Sequence, residues 1–130
     1  MSTHITGPFD VKVTPQADAT TPGLARLTID KQFHGDLEAT SKGEMLASGG
    51  TQGTGGYVAM EVVTGKLSGR SGSFALQHTG TMINNDYKLT IIVVPGSGTG
   101  ELAGIDGRMN IVIAAGGKHS YEFDYTLPAK

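Results

Sequence analysis

Apolar and polar residues alternate along almost the whole chain, and helical periodicity is nearly absent. Phe9, Val11 and Val13 alternate with Asp10 and Lys12 before Pro15. Leu27, Ile29 and Phe33 alternate with Thr28, Asp30 and Gln32, and Gly35 then marks a turn. Period-two alternation of this kind is the signature of strands with one buried face. A loop His34-Gly35-Asp36 sets Phe33 opposite Leu37 and keeps both on one face; the next strand runs from about Leu37 to Ala47. Tyr57–Leu67 and Gly72–Met82 read as a hairpin joined by Ser68-Gly69-Arg70-Ser71. With Gly69-Arg70 as the central turn residues, Ser68 faces Ser71 and Glu61 faces His78.

The next turn tests that face independently. Asn84-Asn85 suits a type I′ turn, because Asn tolerates positive φ. Met82 then faces Tyr87, His78 faces Ile91 and Leu76 faces Val93. Both turns put Glu61 and His78 on the same apolar face. Arg108–Ala114 and Lys118–Leu127 follow around a Gly116-Gly117 turn. In the last strand His119, Tyr121, Phe123, Tyr125 and Leu127 share one face. The expected fold is all-β: an eight-stranded antiparallel meander barrel with minimal helix. A barrel of this size is filled by side chains or holds one small ligand. A two-sheet sandwich is the alternative.

The organisation expected is one domain over residues 1–130, with an N-terminal tail at 1–8, a Gly-rich loop at 48–56 and a long loop at 95–107. One helical turn is expected near Thr99–Ala103. The 20 glycines mostly punctuate the alternating segments. Net charge is −2, and the 10 Lys and Arg are scattered, so there is no electrostatic footprint for nucleic acid. Absence of cysteine excludes disulfides, thiolate metal sites and a cysteine nucleophile. No apolar run reaches membrane-spanning length. The start Met1-Ser2-Thr3-His4 lacks the basic and apolar regions of a signal peptide, so a soluble cytoplasmic protein is expected.

Burying ionisable groups is costly unless they are paired or used. Glu61 and His78 are therefore the candidate catalytic residues, as an acid/base pair or as groups that orient a ligand. A buried ion pair filling the barrel is the structural alternative. A reversed strand, with Val58, Met60 and Val62 inward, is another. Tyr57, Tyr121 and Tyr125 are candidate ligand-binding residues by parity, with their hydroxyls available inside a cavity. Ser97 and Glu101 are candidates for its border. The glycine spacing of PGSGTGELAGIDG fits neither a dinucleotide fingerprint nor a P-loop. The four histidines show no paired metal-ligand spacing, so neither metal nor cofactor is expected.

The segments GYVAMEVVTGKLSGRSGSFALQHTGTM, VVPGSGTGELAGIDGRMNI and HSYEFDYTLP resemble a family of small bacterial proteins of unknown function with an allene-oxide-cyclase-like barrel. The resemblance spans about Leu24 to Pro128. It implies a β-barrel and a homo-oligomer, and no established activity. Related barrels enclose an apolar or phenolic small molecule. The expectation carried forward is a barrel that binds a small apolar or aromatic molecule. A cofactor-independent isomerase or cyclase using Glu61 and His78, and a filled structural barrel, are the alternatives.

Overall fold

The computed structural model describes residues 2–17, 21–49, 52–114 and 116–128. The strands are β1 (Thr3–Gln16), β2 (Ala25–Phe33), β3 (Leu37–Ser48), β4 (Gly55–Leu67), β5 (Arg70–Ile83), β6 (Asp86–Val93), β7 (Asp106–Ile113) and β8 (His119–Thr126). Each pairs antiparallel with the next, and β1 pairs with β8, so the sheet closes into an eight-stranded barrel. Closure pairs the first and last strands with each other, the edges an open sheet would expose. The expected meander barrel is present, and the sandwich is excluded. No helix among the described residues is long and apolar enough to cross a membrane.

Closure uses residues the sequence assigned to a tail. Thr3–Phe9 pairs with β8, and Phe9–Gln16 pairs with β2. Phe9 is in register with both His119 and Phe33, so β1 passes from one neighbour to the other at the Pro8-Phe9 step. Gly7 and Pro8 look like a break in one dimension. In the barrel, Gly7 leaves room for the His34 carbonyl and the Tyr121 ring, which a Cβ would hit.

Two hairpin registers also differ from expectation, each by a two-position slide. The β4–β5 turn is centred on Ser68-Gly69, with φ of 48° and 84°, so Leu67 faces Arg70. Positive φ at both central positions is the type I′ geometry that matches strand twist. Glu61 therefore faces Leu76, and His78 faces Ala59. Phe33 faces Ala39, while Leu37 pairs with Leu67 of β4. A slide of two preserves parity, so every inward residue stays inward. The Asn84-Asn85 turn has φ of 51° and 67°, and Met82–Tyr87, His78–Ile91 and Leu76–Val93 pair as expected.

The loop expectations are partly replaced by strand. β3 runs through Ser48 and β4 starts at Gly55; Gly50 and Thr51 lie outside the described residues. Within 95–107 a single 3-10 turn spans Gly100–Leu102, and β7 begins at Asp106.

The barrel has two different halves. Towards the β2–β3 and β4–β5 turns the interior is filled. Phe33, Leu67, Phe74, Leu76, Ile91, Tyr121 and Phe123 are buried there, and Leu102 and Ile105 of the long connection plug the end. Phe74 stacks on Phe123 with ring centroids 5.8 Å apart. Towards the other end Val11, Ile29, Met45, Tyr57, Leu89 and Ile111 border an open cavity. The seam between β6 and β7 is the least paired, with register contacts only at Ile91–Met109 and Ile92–Arg108. On the outside of β4, Val58, Met60 and Val62 are exposed, so the reversed-strand alternative is excluded.

Candidate functional site

The site begins with one carboxylate. Glu61 lies between Ala59 and Val63 on the inward face of β4 and is fully buried. An isolated carboxylate there would be strongly destabilising. Both of its oxygens are occupied. Oε1 accepts from Lys31 Nζ at 2.9 Å and from His78 Nε2 at 2.6 Å. Oε2 accepts from Ser41 Oγ at 2.5 Å. β2, β3, β4 and β5 thus each supply one member of a buried polar cluster. Burial pushes the Glu61 carboxyl up. The His78 hydrogen bond, the Lys31 and His78 charges and the Ser41 hydroxyl together outweigh it and hold the group down at about 2.

Glu61 and His78 meet diagonally across the hairpin rather than directly, as the shifted register requires. An ionised Glu61 can only accept, so His78 Nε2 carries a proton. In the neutral ring Nδ1 is then the lone-pair nitrogen, and the Tyr57 hydroxyl lies 3.4 Å from it. Burial, then the neighbouring Tyr87 and the Glu61 charge, push the Tyr57 phenol well above its ordinary range. It stays protonated and donates to His78. Gly80 faces Tyr57 across the hairpin and leaves its ring room that a Cβ would fill.

Above this cluster is a cavity of about 150 Å³. All eight strands contribute to its lining. The apolar wall includes Val11, Ile29, Met45, Leu89 and Ile111, while Lys31, Tyr57, His78, Tyr87 and His119 supply the polar groups. Lys31 is 8% exposed, and its ammonium lies 5.2 Å and 5.7 Å from the ring centroids of Phe9 and Phe33. Both rings are within cation–π distance of the ammonium.

The structure divides the residues singled out in the sequence. It brings Glu61, His78 and Tyr57 together. It places Tyr121 and Tyr125 in the filled half: Tyr121 Oη donates to the His34 carbonyl at 2.8 Å and accepts from Leu37 N at 3.2 Å, and Tyr125 Oη lies 3.2 Å from Ser68 Oγ. Burial raises the Tyr121 phenol as well. Ser97 Oγ donates to the Val94 carbonyl at 2.7 Å and accepts from Ala75 N at 3.0 Å. Glu101 Oε1 accepts from Ser71 N at 3.0 Å. Both fasten the long connection onto β5 at the plugged end, away from the cavity. Lys31 and Ser41 belong to the site and were missed. Their parity was readable: Lys31 stands between Ile29 and Phe33, and Ser41 follows Leu37 and Ala39. Among the described residues no group of three or more His, Cys, Asp or Glu is placed to hold a metal ion.

Residues 5–125 match a family described as "Protein of unknown function (DUF3224)". The chain belongs to the DUF3224 family. A crystal structure at 1.84 Å resolution, of a DUF3224 protein with unknown function from Shewanella oneidensis MR-1, is similar over 100% of both chains, with a TM-score of 0.92 and 49% identity. No curated protein matches the chain. Family membership fits the closed eight-stranded barrel, and the chemistry of this DUF3224 barrel has to be read from its own residues.

Proposed function

We propose that this DUF3224 barrel binds a small, one-ring or short-chain molecule carrying a single hydrogen-bonding oxygen, in the cavity at its open end. The observation that carries the reading is the composition of that cavity. Its apolar wall comes from β1, β2, β3, β6 and β7, and Lys31, Tyr57 and His78 converge on it from β2, β4 and β5. Few fixed polar groups in an apolar concavity are the usual form of a small-molecule site. The size limits the occupant. A dry cavity of about 150 Å³ accommodates benzene, and drug-sized ligands need roughly 300–1,000 Å³. The filled-barrel alternative describes the plugged half only. The allene-oxide-cyclase-like resemblance points to the same use of the interior.

Phenol is a suitable probe. Its seven or so heavy atoms at about 0.6 kcal/mol each give about 4 kcal/mol, or a Kd near 1 mM. Ligand-observed NMR covers that range. Saturable binding of phenol is expected, lost in Leu89→Trp, which fills the cavity, and weakened about tenfold in Tyr57→Phe. Binding that survives Leu89→Trp unchanged, or no binding at millimolar phenol, refutes the reading.

A further inference from the structure

We propose that the cavity catalyses proton transfer at carbon on small enolisable ketones, with His78 Nδ1 as the base and Lys31 and Tyr57 as donors to the carbonyl oxygen. This rests on the cavity being a binding site. The geometry separates three roles. Glu61 has both oxygens occupied by Lys31, His78 and Ser41, so it has no free face towards a ligand. It is a positioning residue. It fixes the ring of His78 through Nε2 and leaves Nδ1 as the basic nitrogen on the cavity side. The ammonium of Lys31 has three N–H groups, of which one meets Glu61 at 2.9 Å. The Tyr57 hydroxyl lies 3.4 Å from Nδ1, at the long end for a hydrogen bond, so a carbonyl oxygen displaces it at low cost.

The charges also fit the step. Lys31 and Glu61 neutralise each other at rest. When a C–H bond beside the carbonyl breaks, the proton goes to Nδ1 and the electron pair forms the enolate. The new imidazolium then sits 2.6 Å from the Glu61 carboxylate through its other nitrogen. The enolate oxygen takes hydrogen bonds from Lys31 and Tyr57. Return of the proton to the same carbon gives exchange. Return to the distal carbon of a β,γ-unsaturated ketone gives the conjugated isomer. No electrons are gained or lost, and no co-reactant is needed. Acid–base groups placed this way contribute about 10²–10⁴ in rate, and a preorganised donor to the oxyanion about 10²–10³.

The test uses cyclohex-3-enone. Ligand-observed NMR reports its binding, and ultraviolet absorbance reports conversion to cyclohex-2-enone. Saturable conversion is expected in the wild-type protein. His78→Gln, which can still donate to Glu61 and offers no base, should lose at least about a hundredfold in kcat with Kd unchanged within about threefold. Tyr57→Phe is the second variant, at a half-buried position with little bearing on folding, and should lose about tenfold or more in kcat. Glu61→Gln should lower kcat with little change in KM and change the ¹⁵N shifts of the His78 ring. Binding without conversion above that of free imidazole overturns this proposal alone, as does full activity in His78→Gln. Failure of the enone to bind where phenol binds overturns this proposal alone, and failure of both overturns the binding reading with it.

Discussion

Substituting Glu61→Gln tests the centre of the barrel most directly. The amide keeps the shape and one acceptor oxygen but removes the charge that Lys31 and His78 meet. The carboxyl is held at about 2 against an ordinary 4.5. At about 1.4 kcal/mol for each tenfold change in proton affinity, its ionisation contributes about 3 kcal/mol to stability near neutral pH. The scale for breaking a buried pair from one side, about 3–5 kcal/mol, agrees. For a chain of this length that loss lowers Tm by about 10 °C. The sign of the pH dependence follows from the direction of the shift. A depressed carboxyl stabilises the fold above the unfolded value, and the contribution drains away as pH falls from about 4.5 towards 2. The stability gap between wild type and variant should therefore be flat above about pH 5 and shrink below it. Lys31→Met/Glu61→Gln should recover much of the loss, because no unpaired charge is left inside. Denaturation followed by circular dichroism at pH 7, 4 and 3 measures all of this. A loss under about 1 kcal/mol at pH 7, or a gap that stays constant down to pH 3, would refute the reasoning.

Two further substitutions separate the halves of the barrel. Tyr121→Phe removes the hydroxyl that bridges the His34 carbonyl and the Leu37 amide; it should cost about 1–3 kcal/mol in denaturant titration and leave phenol binding within about threefold. Gly80→Ala puts a methyl group against the Tyr57 ring. The ring must move, so phenol affinity should drop about tenfold or more, about 1.4 kcal/mol, and the overpacking should lower the unfolding free energy by about 1–3 kcal/mol. Unchanged affinity in Gly80→Ala would remove Tyr57 from the site.

The chain by itself determined the strands, their number and which side of each faces inward. Those are properties of period-two alternation and of local turn chemistry, and both are written in neighbouring residues. They were robust to error: the Ser68-Gly69 turn slid the hairpin by two positions, and parity still kept Glu61 and His78 together inside. Tertiary structure decided what alternation cannot encode. Whether an inward tyrosine lines a cavity or seals a packed end depends on its height along the barrel, and that height is set by strand stagger around the closed sheet. Tyr57 came out in the open half; Tyr121 and Tyr125 came out in the packed half. Closure also turned Thr3–Pro8 from an apparent tail into the segment that joins β1 to β8. Lys31 shows the same division. Its parity was legible, but an inward lysine becomes acceptable only when a carboxylate from another strand lies within hydrogen-bonding reach, and Glu61, 30 positions along the chain, arrives there only through the fold.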